Sequence, residues 1–114
     1  MENKRLFEKI DNTDTYSADY KQKMKDTYQY FSSNGFEFRE HALNRALGQK
    51  SGKDKFWFTK EQLLEILRRK YNYRQSDGKL IRFYENIAVV SAADTGEIVS
   101  IIVRNAPRKD WDVL

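Results

Sequence analysis

The sequence predicts an α+β fold, with helices first and an antiparallel sheet after them. Three observations carry this. Apolar residues recur at three- and four-residue spacing as far as Leu67, they fall into short β-type runs beyond Tyr71, and the turns between those runs are too short for crossover helices.

Taking the elements in order, residues 1–16 are polar, with Leu6, Phe7 and Ile10 at helical spacing and a break at Asp11-Asn12-Thr13-Asp14. From Ser17 a helical stripe of Tyr20, Met24, Thr27, Tyr28 and Phe31 runs to Ser32-Ser33-Asn34-Gly35, and this aromatic stripe reads as a docking face for a core in preference to a base-stacking platform. Phe36 to Phe38 reads as a short extended piece. A second helix follows from Glu40 to Gln49 with Ala42, Leu43, Ala46 and Leu47 on one face, and Lys50 to Lys55 is a charged loop pinned by Phe56-Trp57-Phe58. Thr59-x-x-Gln62 is a capping box opening a third helix, whose buried face is Leu63, Leu64, Ile66 and Leu67. Arg68-Arg69-Lys70 suits the negative end of that helix.

Four strands are expected at Tyr71–Gln75, Leu80–Tyr84, Ile87–Ala93 and Glu97–Arg104, turning at Ser76-Asp77-Gly78, Glu85-Asn86 and Asp94-Thr95-Gly96. The tail from Ala106 to Leu114 either folds back on the sheet or frays. One domain is the default for 114 residues, divided into a helical lead-in (1–35), a helix-helix-sheet core (36–105) and a tail (106–114).

Composition narrows the function classes. With no cysteine, disulfides, thiolate metal sites and thiol nucleophiles are excluded. No apolar run reaches the ~20 residues that span a bilayer, and Met-Glu-Asn-Lys-Arg is not followed by a signal-peptide stretch, so a cytoplasmic site of action is expected. The net charge is +4, unevenly placed: residues 39–82 hold 12 Lys or Arg against 5 Asp or Glu. Such a basic stretch fits an anionic partner, of which nucleic acid is the commonest, or a solvated basic face. Spaced metal ligands and phosphate-cradling glycine loops are both missing from the sequence, so no metal or cofactor is expected.

The chemistry candidates start at His41, the only histidine, whose unperturbed pKa permits proton exchange near neutrality. Arg45 follows one turn later on the same helical face, and both project away from the apolar face. A general acid or base beside a phosphate-gripping guanidinium is what cleavage of a ribose-phosphate backbone needs. Strand alternation puts Arg82 and Tyr84 on one face of their strand, and Ser100 and Arg104 on one face of theirs. Tyr84 could donate to a phosphate oxygen, Ser100 could position it, and Arg82 or Arg104 could neutralise it; each also has an ordinary structural use.

Glu40-His41-Ala42-Leu43-Asn44-Arg45, a Thr-capped helix, Arg82-Phe83-Tyr84-Glu85-Asn86-Ile87-Ala88-Val89-Val90 and Thr95-Gly96-Glu97-Ile98-Val99-Ser100-Ile101-Ile102-Val103 together resemble the barnase, EndoU, colicin E5/D and RelE superfamily of small ribonucleases. The likeness is to its phage and polymorphic-toxin branches, including those of contact-dependent growth inhibition, and covers about residues 38–105. It implies a barnase- or RelE-like sheet and a metal-independent endoribonuclease acting on RNA, with tRNA among the candidate targets. His41, Arg45, Tyr84 and Ser100 are its implied catalytic residues, and Arg82, Arg104 and Arg68 its phosphate ligands. The superfamily exchanges its catalytic cations, so Arg74 stays a candidate too. The resemblance further implies a dedicated immunity or antitoxin protein, and delivery into a target cytoplasm as part of a longer secreted chain. Two other readings stay open: a non-catalytic nucleic-acid-binding module, and an interaction or immunity-type protein, against which the basic middle counts.

Overall fold

In the computed structural model, which describes residues 3–47 and 58–114, three helices begin at a side chain that accepts an otherwise orphaned amide. Asn3 accepts from the Leu6 amide at 3.0 Å and opens α1 (Lys4–Asp11). Ser17 accepts from Tyr20 at 3.1 Å and opens α2 (Ala18–Ser33), and Thr59 accepts from Gln62 at 3.0 Å and opens α4 (Lys60–Leu67). Between them, α3 (Glu40–Ala46) follows an extended Arg39. The end of the second expected helix beyond Leu47, the Lys50–Lys55 loop and Phe56-Trp57 lie outside the described residues.

The strands are β1 (Tyr73–Arg74), β2 (Leu80–Tyr84), β3 (Ile87–Ser91), β4 (Ile98–Val103) and β5 (Asp112–Val113). They form an antiparallel sheet in the order β4-β3-β2-β1-β5. The sheet therefore has five strands where four were expected. The fifth comes from the tail, which folds back and pairs with β1. The first strand is also shorter than expected. Asn72 takes the place of a ladder residue, its side-chain amide donating to the Phe83 carbonyl and accepting from the Phe83 amide, both at 2.8 Å. At the opposite edge Phe38 bridges Ile98 in parallel, the Arg39 amide donating to the Ile98 carbonyl at 2.9 Å.

Register decides which side chains share a face. Arg82 pairs with Val89 and Tyr84 with Ile87, on the side the helices cover. Ile81, Phe83, Ala88, Val90, Ser100 and Ile102 occupy the other side. The main core joins Leu6 and Ile10 of α1, Met24, Tyr28 and Phe31 of α2, Leu43 of α3 and Leu63 and Ile66 of α4 to Ile87, Val89 and Ile98. The lead-in helix is thus part of the core, with Phe7 edge-on to Tyr28 at 5.4 Å. A smaller core on the second face has Trp111 over Ile81, Ala88 and Val90, flanked by Tyr73 and Phe83 at 5.9 and 6.1 Å. Burying that indole explains why the tail crosses the sheet. Truncating a buried aromatic of this kind costs about 3–5 kcal/mol.

Candidate functional site

α3 is short and has no side-chain N-cap bond, so tertiary contacts must hold it. Ala42, Leu43 and Ala46 are buried, seating the helix on β4. Its flank toward α1 and α2 is also fastened. The Tyr16 hydroxyl donates to Glu40 Oε2 at 3.2 Å, Lys9 Nζ lies 3.1 Å from Glu40 Oε1, and the Tyr20 hydroxyl donates to Asn44 Oδ1. One residue further round, His41 and Arg45 are exposed, and among the described residues neither makes a hydrogen bond or ion pair. α3 is held on two sides and presents this pair on its outer one.

The β2 candidates differ. Arg82 turns inward: Nε donates to the Arg69 carbonyl at 2.9 Å, and the guanidinium lies 4.1 Å from the centre of the Tyr71 ring and 5.9 Å from that of Phe36. Arg82 Nη1 is buried without an acceptor, and burial pulls the guanidinium pKa down, opposed by Tyr71 and Tyr84. Tyr84 donates to the Lys70 carbonyl at 2.6 Å, while the Arg69 guanidinium sits 5.0 Å above the Tyr84 ring. Two consecutive carbonyls after α4 are thereby tied to one strand, leaving Arg68, Arg69 and Lys70 exposed at a fixed place. Arg68 reaches Asn34 Oδ1 at 3.2 Å and Glu65 at 3.6 Å.

Ser100 is half-buried on the second face, and Arg104 follows it there, with Nε donating to the Ala106 carbonyl at 3.0 Å and its guanidinium 5.9 Å from the Trp111 ring. The expected site residues therefore fall into three groups. His41 and Arg45 stand together on α3, and Arg82 and Tyr84 stand together beneath the Arg68-Arg69-Lys70 link. Ser100 and Arg104 are separated from that second group by the sheet itself. Arg74 is exposed on β1.

Sequence reasoning missed Tyr16, Tyr20, Glu40 and Asn44. A signal was present in their spacing, since each pair lies four residues apart, but nothing local says that the two pairs meet. Burial, then Glu40, raises the Tyr16 pKa, and burial together with Tyr16 pushes that of Tyr20 up to about 12, so both hydroxyls stay protonated donors at neutral pH.

Among the described residues no group of three or more His, Cys, Asp or Glu could hold a metal ion, and no helix is long and apolar enough to cross a membrane. Comparison of the chain with protein-family models, curated proteins and solved structures finds no match.

Proposed function

We propose that this chain is a metal-independent ribonuclease in which His41 is the general acid or base and Arg45 holds the scissile phosphate. The observation that carries the reading is the outer stripe of α3, where an imidazole and a guanidinium one turn apart are exposed and, among the described residues, without a partner, on a helix fastened on its other sides. In the step itself a 2′-oxygen attacks the adjacent phosphorus, the P–O2′ bond forms and the P–O5′ bond breaks. The proton lost by the 2′-hydroxyl is balanced by one gained at the 5′-oxygen, leaving a 2′,3′-cyclic phosphate. Arg45 offsets charge building on the phosphorane oxygens.

In this reading Arg82 and Tyr84 hold Arg68, Arg69 and Lys70 where they can meet flanking phosphates, and Ser100 and Arg104 take no part. A toxin of this kind acts in a cytoplasm and is countered by a protein that covers the His41–Arg45 stripe. A second reading, non-catalytic RNA binding, draws on the exposed Arg69 and Lys70 and does not need His41.

The test is incubation of wild type and His41→Ala with total cellular RNA in excess EDTA, with circular dichroism to confirm that both are folded. Discrete cleavage by wild type alone is expected. Cleavage by both proteins sinks His41 as the catalytic group, and intact RNA with retained binding moves the function to the second reading.

A further inference from the structure

We propose that Tyr16 and Tyr20 form a subsite for an unpaired nucleobase beside the His41–Arg45 stripe, an inference that rests on RNA being the ligand of that stripe. Both residues belong to the N-terminal helical part, not to the basic middle of the chain. Their rings are half-exposed, 5.2 Å apart and tilted by 55°, and with Thr15 and Ser17 they line an open surface depression of about 400 Å³. That volume falls within the roughly 300–1,000 Å³ usual for small-ligand sites. None of its four lining residues is charged; two offer aromatic faces and two offer hydroxyls. The ligand such a lining suits is flat, neutral and aromatic with a hydrogen-bonding edge, which describes a base splayed out of a single strand.

Position supplies the link to the stripe. The two tyrosine hydroxyls are held by Glu40 and Asn44, the residues immediately before His41 and Arg45, so the ledge and the stripe are separated by one side-chain row of α3. A phosphate on Arg45 would leave its neighbouring base free to turn toward Tyr20. With both hydroxyls protonated the tyrosines themselves carry no charge, and the Glu40 carboxylate that holds Tyr16 is paired with Lys9 at 3.1 Å.

The test uses fluorescence anisotropy with two labelled hexanucleotides of fully 2′-O-methylated backbone, one of mixed sequence and one abasic throughout. Neither can be cleaved by 2′-hydroxyl attack. Wild type should bind the base-bearing probe on the order of tenfold more tightly than the abasic one. Tyr16→Leu and Tyr20→Leu should lose most of that advantage, and Tyr16→Phe and Tyr20→Phe should keep it. Equal binding of the two probes, no binding of either, or leucine variants that melt and bind like wild type would each overturn the subsite. Should the leucine variants fail to fold, the two probes on wild type decide alone. Base-dependent binding alongside intact total RNA removes the ribonuclease reading and keeps this one; cleavage with base-independent binding does the reverse.

Discussion

The outer stripe of α3 and the inner pair of β2 are both regularly spaced polar residues beside a core, yet their surroundings are opposite. Arg82 and Tyr84 are bound to the carbonyls of Arg69 and Lys70, and Arg82 is sandwiched against Tyr71. His41 and Arg45 stand over Ala42 and Ala46 with nothing on their outer side among the described residues. A polar side chain engaged by backbone acceptors stabilises a connection. One left exposed on a well-held helix is available to a ligand. The Arg82 site even tolerates a buried, acceptorless Nη1, whose desolvation costs on the order of 1–3 kcal/mol and is offset by stacking on Tyr71.

The sharpest way to break the comparison is to measure activity and stability together. His41→Ala should lower the cleavage rate by about 10²–10⁴-fold, with a melting temperature within about 1 °C of wild type, as expected for an exposed, unpaired residue. A matching loss of stability would erase the difference between the two regions. Arg82→Ala should behave in the opposite sense, lowering stability by about 1–2 kcal/mol, or roughly 4–8 °C in Tm for a chain of this size. Tyr84→Phe removes only the bond to the Lys70 carbonyl and should cost about 1 kcal/mol. Thermal melts of the three variants at one pH check the order; an Arg82→Ala protein as stable as wild type would return Arg82 to the list of ligand-facing cations.

Why one region was legible in the sequence and the other was not follows from the range of the interactions. The start of α2 at Ser17, the threonine half of the capping box at Thr59, the apolar rows of α2 and α4, and the turn at Glu85-Asn86 are local, and the structure bears them out, both turn residues having positive φ (55° and 66°). The outward projection of His41 and Arg45 is helical arithmetic and also stands. Parity within β2 and within β4 is as expected. Their relation across the sheet is different, because it depends on pairing register and on the irregularity between Val90 and Ser91. That register puts Ser100 on the face away from Arg82, and no local pattern encodes it. β5 is two residues long, too short to have a period, and it exists because Trp111 is buried nearby. Asn72 imitating a strand residue is equally invisible until Phe83 is beside it.

The smallest expected effect tests the fastened flank of α3, against which its free stripe is defined. Burial pushes Tyr20 up to about 12 and, with the Glu37 hydrogen bond, Tyr28 to about 12. The native state therefore keeps protons that the unfolded chain releases near pH 10, so this contribution is complete below about pH 10 and is lost as pH rises toward 12. Melting temperature should fall across that window, and less steeply in Tyr20→Phe, which has no phenolic proton to lose. An unchanged slope in Tyr20→Phe would mean that the Tyr20 hydroxyl is solvated and does not hold Asn44. Asn44 would then be as free as Arg45, and the Glu40 contacts with Tyr16 and Lys9 alone would fasten that flank of α3.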